Sequence, residues 1–279
     1  MTQQANPLKQ YFRQIKMYIR LPTGTTYYNP GDINFTDNGE VGIMAMTGQD
    51  EITLKNPDAL LNGEAMVDVI RSCVPAVRDP RVLLNNDVDT IITAIRHVTY
   101  GDKLDTTMKC PNCGHENTFK MDLGYALDNM EMLEPNYVVR LDSGLGIYIK
   151  PYSFPEIIKG LHAQFEQTKL ARALEAENIT DDQRSSIFKT AFNTMSLTTY
   201  ELTCKSVVKI VDEAQGVHVT NQEHIGEFLK NTDRDVIDRI QDMIKEINRI
   251  GIKRDFDAQC ESCGHTWSSE LDFNPVNFS

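Results

Sequence analysis

Two short cysteine motifs constrain this chain more than any other feature of its 279 residues. Cys110 and Cys113 lie in CPNCGH, and Cys260 and Cys263 lie in CESCGH. Two residues between cysteines let one tight turn direct both sulfurs at one ion, and two such turns supply the four sulfurs of a tetrahedral zinc site. The spacing therefore predicts a structural Zn2+ site with Cys110, Cys113, Cys260 and Cys263 as its ligands.

The sequences that flank the two motifs are also alike. CPNCGHENTFKMDL and CESCGHTWSSELDF align without a gap, which places Asp122 and Asp272 at matching positions. Gly114 and Gly264 follow the second cysteine of each motif, where a turn of this kind tends to need a positive φ angle. We therefore predict two similar β-hairpins that share one metal, which together form a zinc ribbon split by a long insertion. We call each cysteine motif a knuckle and the hairpin that carries it a knuckle hairpin.

Other roles for the cysteines stay open at the level of sequence. A redox C-x-x-C motif should lie near a βαβ pattern and normally occurs once, and a disulfide needs an oxidising compartment. The N-terminus lacks the apolar core of a secretory signal, so we expect a reducing cytoplasm, which favours metal binding.

We assign His115 and His265 to hydrogen bonding around the sulfurs rather than to the ligand set. Cys73 and Cys204 lie in apolar segments and are predicted to be buried structural residues on helices.

The charge balance of the chain is acidic, with 28 basic and 40 acidic residues and a formal net charge of −12. This balance argues against sequence-independent binding of nucleic acid, which needs a basic surface. We find no run of Lys and Arg with interleaved aromatic residues. No stretch approaches the roughly 18 consecutive apolar residues that indicate a transmembrane helix. We therefore expect neither a nucleic-acid partner nor a membrane span.

The remaining patterns predict an α+β fold. A β-rich N-terminal segment, with strands around QIKMYIRL, TTYYNP, EVGIMAM and EITLK, precedes helices, the first knuckle hairpin and a further hairpin. A helical insert follows, with separate helices over 181–194 and 196–211, and the second knuckle hairpin and a C-terminal tail end the chain. The predicted segments are 1–54, 55–152, 153–250 and 251–279.

Residues 233–250 have the strongest helical periodicity in the chain. Their apolar residues recur at intervals of four and three, at Val236, Ile240, Met243, Ile247 and Ile250. This pattern predicts a helix packed in its own core, or alternatively a helix seam shared with a neighbouring subunit. Trp267 lies on the strand that leaves the second knuckle and is predicted to pack against the other hairpin.

One stretch of the chain contains a recognisable order of motifs. LPTGTTYY is followed by GIMAMTGQDE, by a helix ending in RSCV, and by NDVDTIITAIRHVTYGDKLDTTMKCPNCGH. This order resembles the baseplate hub family of T-even-like contractile-tailed bacteriophages, closely over residues 20–135 and loosely over the helical remainder. The matching residues are Asp87, Val88, Asp89, Ile95, Arg96, Tyr100, Gly101, Cys110 and Cys113.

The resemblance implies a non-enzymatic component of the baseplate hub, or a factor that assists hub assembly, which docks to other tail proteins in a multi-subunit assembly. It also implies a place in the virion tail after assembly in the host cytoplasm. Common nucleotide-binding, zinc-protease, serine-hydrolase and EF-hand motifs are missing from the sequence, so we expect no catalytic residue and no small-molecule substrate.

The alternative functions are a zinc-ribbon adaptor for nucleic acid or the transcription machinery, and a metal-dependent or thiol enzyme. A permanent virion subunit and a transient assembly factor are both compatible with these residues.

Overall fold

The computed structural model describes residues 6–56, 63–174 and 180–270. Within these ranges, helices alternate with small antiparallel sheets, which confirms the α+β class. The strands are β1 (Ile15–Arg20), β2 (Glu40–Met44), β3 (Lys103–Lys109), β4 (Glu116–Asp122), β5 (Tyr137–Arg140), β6 (Leu145–Ile149), β7 (Val207–Asp212), β8 (Val217–Val219), β9 (Asp255–Gln259) and β10 (Thr266–Glu270). The α-helices are α1 (Gly48–Leu54), α2 (Glu64–Cys73), α3 (Asn85–Tyr100), α4 (Leu123–Asp128), α5 (Phe154–Leu174), α6 (Asp181–Ser206), α7 (Gln222–Asn231) and α8 (Arg234–Arg249). None of these described helices is both long and apolar enough to cross a membrane.

The first hydrophobic core lies around the β1–β2 hairpin and helices α2 and α3. The apolar residues of α3 recur at helical spacing, so Val88, Ile91, Ile92 and Ile95 all face this core and are buried. Short 3-10 helices at Pro7–Tyr11 and Pro80–Val82 flank it in the chain. Helix α3 leads directly into β3, so this core supports the first knuckle hairpin.

Helix α3 also holds distant parts of the chain together through two aspartates. The carboxylate of Asp87 is fully buried and accepts hydrogen bonds from the amide of Thr23 (3.1 Å), from its hydroxyl (2.5 Å) and from the hydroxyl of Tyr28. Burial raises the pKa of Asp87 to about 6, although the hydrogen bonds from Thr23 and Tyr28 oppose this rise. Asp89 forms an ion pair with Arg254, which precedes β9. Helix α3 therefore joins the turns that contain Thr23 and Tyr28 to β9, the strand that enters the second knuckle.

The second hydrophobic core lies between helices and an antiparallel sheet with the strand order β5-β6-β7-β8. Helices α7 and α8 contribute Ile225, Ile240, Ile244 and Ile247, all of which are buried against Ile147 and its neighbours in the sheet. The prediction that residues 233–250 form a helix packed in its own core is therefore confirmed.

The prediction of a strand at EITLK is wrong, because this segment belongs to helix α1. Thr47 begins the helix with a reciprocal pair of hydrogen bonds: its hydroxyl accepts from the amide of Asp50 (3.3 Å), and its amide donates to the Asp50 carboxylate (2.7 Å). Such a capping box satisfies backbone amides that a helix start leaves without partners. The predicted strand at TTYYNP is a series of turns.

The prediction of a wholly helical insert over 153–250 is wrong at residues 207–219. Helix α6 runs without a break from Asp181 to Ser206, and the chain then forms β7 and β8. Strand β7 pairs with β6, with Ile210 opposite Ile147. The run VVKIV suits a strand because β-branched residues pack well on a pleated surface. The division of the chain into four segments stays a prediction, and one sheet joins strands from the second and third of them.

Candidate metal centre

Each cysteine motif forms the turn of a β-hairpin. Strands β3 and β4 pair up to Lys109 and Glu116, and CPNCGH connects them. Strands β9 and β10 pair up to Gln259 and Thr266, and CESCGH connects them. The two hairpins therefore present equivalent turns, although they are far apart in the chain.

The two turns share one backbone conformation. In the first, the amide of Cys110 donates to the carbonyl of His115 and the amide of Gly114 donates to the carbonyl of Cys110, both at 2.9 Å. The second turn repeats both bonds at 2.9 Å. Gly114 and Gly264 have φ angles of 73° and 70°, which side chains with a Cβ disfavour. The sequence therefore explains the local geometry of each turn without reference to a metal.

The structure brings all four sulfurs together, within 4.8 Å of one another. The sulfurs of Cys110 and Cys263 are 3.7 Å apart, and those of Cys113 and Cys260 are 3.6 Å apart. A Zn–S bond of ~2.3 Å implies S···S distances of roughly 3.8 Å in a tetrahedron, whereas a disulfide needs about 2.05 Å. These separations fit a four-sulfur metal site and are too long for a disulfide.

Each hairpin supplies one buried and one exposed cysteine. Cys110 and Cys260 are 3% and 2% exposed, whereas Cys113 and Cys263 are exposed. The buried cysteine is the first residue of each C-x-x-C motif, and the exposed cysteine is the fourth. The arrangement is therefore close to symmetric between the hairpins.

The electrostatics of the cluster favour a bound cation. Burial raises the pKa of Cys260, but hydrogen bonds from the amides of Cys263 and Ser262 and from the neighbouring thiols together lower it to about 6. At Cys113 the amide of His115 lowers the pKa, whereas the neighbouring sulfurs and burial raise it to about 12. Each negative sulfur opposes the ionisation of the next, so four thiolates at this spacing need a compensating charge. A divalent metal would provide that charge, because thiolate ligands bind a metal in the deprotonated form.

Asn117 connects the two hairpins beside the cluster. Asn117 is 2% exposed. The amide nitrogen donates to the carbonyl of His115 (2.9 Å), and the amide oxygen accepts from the backbone amide of Glu261 in the second turn (2.9 Å). This one residue therefore holds both turns in a common orientation. The corresponding position in the second hairpin is Trp267, so the second hairpin has no counterpart of this bridging side chain.

Sequence reasoning missed Asn117 and also Asn112, whose side-chain amide lies 3.8 Å from the sulfur of Cys263 and donates to it. A signal for Asn117 does exist. In β4 the inward-facing positions are Asn117, Phe119 and Met121, so a polar residue interrupts an otherwise apolar row. A polar side chain on the buried face of a strand indicates a specific hydrogen bond.

Aromatic packing also joins the hairpins. The ring of Phe119 on β4 lies 5.5 Å from that of Phe256 on β9 and 6.0 Å from that of Trp267 on β10, both edge-to-face. The prediction that Trp267 packs against the other hairpin is therefore confirmed. The ring of His265 stacks on Trp267 at 6.2 Å. The four-cysteine group among the described residues includes neither His265 nor His115.

The other predicted residues lie outside the cluster. Cys73 is buried in α2, as predicted, and burial raises its pKa to about 11. Cys204 lies in helix α6, as predicted, but the prediction that it is buried is wrong, because it is half-buried. The carboxylate of Asp122 caps helix α4 by accepting from the amide of Tyr125 (3.0 Å), and its counterpart Asp272 lies outside the described residues.

The family model described as T4 bacteriophage base plate protein matches residues 9–278 of the chain. No curated protein and no solved structure matches it.

Proposed function

This chain belongs to the T4 bacteriophage base plate protein family, and we propose that it is a structural subunit of the hub region of a phage tail baseplate. The observation that carries the proposal is the extent of the family match, which covers almost the whole chain. Membership implies a component of the virion tail that assembles with other phage proteins. The hub location, assembly in the host cytoplasm and the absence of catalysis are parts of the proposal.

We further propose that Cys110, Cys113, Cys260 and Cys263 bind one structural zinc ion. The support is the sulfur cluster, whose separations of 3.6 and 3.7 Å match the edges of a four-sulfur tetrahedron. Zinc with four sulfur ligands has no open position for water or substrate, so it would stabilise the fold rather than catalyse a reaction. The zinc ribbon would thus cross-link the end of the chain to its middle.

The helical part of the chain is proposed to provide a docking surface, with the zinc hairpins as a rigid support. Residues 185–200 of α6 contain one charged residue, Lys189, although 24% of the whole chain is charged. The large apolar side chains exposed there are Phe188, Phe192, Met195 and Leu197. Interface centres are depleted in charge and enriched in aromatic residues and Met, which supports this role for α6.

Mass spectrometry of purified virions and of assembly intermediates tests the baseplate role. We expect the chain in mature particles at a constant ratio to other baseplate proteins. Presence in intermediates but not in mature particles would show a transient assembly factor, and absence from both would overturn the proposal.

X-ray absorption on the natively purified chain tests the zinc site. We expect one zinc per chain with four sulfur neighbours at about 2.3 Å. Zinc with an oxygen neighbour would contradict a closed structural site, and a metal-free chain would contradict the site itself.

A further inference from the structure

The first turn and first strand of the chain expose an unusual concentration of apolar side chains. Residues 8–18 span the 3-10 helix at Pro7–Tyr11 and most of β1. We name the exposed apolar residues of this segment the N-terminal ridge: Leu8, Tyr11, Phe12, Ile15 and Tyr18. Large exposed apolar groups this close together indicate an interaction site rather than ordinary surface.

The side chain of Arg13, which is partly buried, anchors the ridge to the body of the protein. The guanidinium group of Arg13 donates to the carbonyls of Ala45 (2.7 Å) and Ser72 (2.6 Å), and to the carboxylate of Asp50 (3.1 Å). These bonds fix the chain between Phe12 and β1. A surface that is already ordered loses little conformational entropy when it binds, which favours docking.

On β1 the ridge continues with the exposed side chains of Ile15 and Tyr18. Tyr18 pairs with Gly42, which has no side chain, and the Ile15 side chain occupies the space where a Cβ of Gly42 would lie, at 2.7 Å. Lys16 and Arg20 lie on either side of Tyr18 in the strand. Tyr18 and Arg20 share a face, because alternate residues of a strand do, whereas a register shift between Ile15 and Met17 interrupts this alternation at Lys16. Lys16 and Arg20 are both exposed, whereas Ile19 is buried in the first core.

The charge of this region is opposite to that of the whole protein. The first 31 residues contain four basic residues and no acidic one, although the complete chain has a net charge of −12. Lys9, Lys16 and Arg20 are exposed, and none of them forms an ion pair within the described ranges. Lys16 donates to the carbonyl of Val98 (3.2 Å), and Arg20 lies opposite Glu40 in the strand pairing. The basic residues are spaced three or four apart, which is why a search for a basic run does not find them.

We propose that the N-terminal ridge is the docking site for an acidic segment of another tail protein. The aromatic rings would provide the apolar centre of the interface and Lys9, Lys16 and Arg20 its charged rim, as is common in protein interfaces. A protein partner fits better than nucleic acid, because three cations offer few phosphate contacts while the apolar surface is large. Within the described residues β1 pairs only with β2, so its other edge also offers backbone groups to an extended segment.

This inference rests on the proposed baseplate function and adds the chemistry of one partner. Site-specific photocrosslinking in infected cells tests it, with the chain carrying Tyr18→p-benzoylphenylalanine or, separately, Tyr11→p-benzoylphenylalanine. Tyr125→p-benzoylphenylalanine is the control, because Tyr125 is 70% exposed, as compared with 77% for Tyr11, and lies outside the ridge. We expect adducts from positions 11 and 18 to a net-acidic segment of a different tail protein.

The charge requirement is tested in the same experiment with Lys9→Glu, which reverses an exposed charge at the edge of the ridge. In the double variant Lys9→Glu/Phe12→Ala, we expect the adduct at position 18 to fall about tenfold, since loss of a hot-spot side chain typically weakens binding at least this much. An adduct to a second copy, to nucleic acid or to a segment without net negative charge, or adducts at positions 11 and 18 no stronger than the control, would overturn the inference. Virions that contain the chain but yield no such adduct would refute the docking site alone, whereas absence of the chain from virions would refute the proposed function.

Discussion

Replacement of Cys260 by serine is the most direct test of the metal cross-link. Cys260 is 2% exposed and lies 3.6 Å from Cys113 in the other hairpin. If both hairpins hold one ion, loss of this ligand releases the constraint that the ion places on the intervening chain. Treating the metal as a cross-link that closes a loop of ~150 residues, its release costs about 5 kcal/mol at 25 °C by the chain-entropy relation used for disulfides.

Calorimetry and elemental analysis measure the two expected consequences. For a chain of this size, ~5 kcal/mol corresponds to a fall in Tm of roughly 10 °C or more. We expect Cys260→Ser to lose its zinc and to melt at the temperature of the chelator-treated wild type. Cys204→Ser is the matched control, because Cys204 lies in α6 outside the cluster, and it should keep one zinc per chain. The reasoning is refuted if Cys260→Ser retains stoichiometric zinc, or loses it with an unchanged Tm.

Three further predictions follow from single side chains. Asn117→Ala removes one hydrogen bond within the first turn and one that reaches the second turn, so urea unfolding should show a loss of about 1–3 kcal/mol, and an unchanged midpoint would contradict this bridging role. Asp87 has a folded pKa raised to about 6 from 3.8, so its contribution to stability is present below pH 4 and lost as pH rises through 6, by about 3 kcal/mol. Asp87→Asn should abolish that part of the pH dependence, and identical pH slopes for both proteins would argue against it. Thr47→Ala removes the cap of α1 and should cost ~1 kcal/mol by thermal unfolding, whereas Thr53→Ala, in the last turn of the same helix, should cost less because it leaves the cap in place.

The resemblance to a baseplate family was confirmed, and the residues that carry it have physical roles in the structure. Asp87 accepts hydrogen bonds from Thr23 and Tyr28, both of which lie in the LPTGTTYY motif. Asp89 pairs with Arg254 before the second knuckle. The motifs are therefore linked in space as well as in order, and they connect the turns around Thr23 to the hairpin that carries Cys260 and Cys263.

The sequence alone determined the features that depend on neighbours within a few residues. The knuckle turns follow from cysteines two residues apart and a glycine that accepts a positive φ angle. Helix α3 follows from apolar residues at helical spacing, because such a pattern buries one face only when the segment is helical. The equal spacing of the two motifs was also sufficient to predict that they belong together.

Only the tertiary structure decided the features that depend on distant partners. Residues 207–212 form a strand because β6 provides a pairing edge, whereas their apolar pattern suits a helix or a strand equally well. Asn117 reaches Glu261 across two hairpins, and nothing near Asn117 in the chain specifies that contact. Local spacing sets backbone conformation, but hydrogen bonds and packing between segments depend on how the whole chain folds, which is why the sequence did not reveal them.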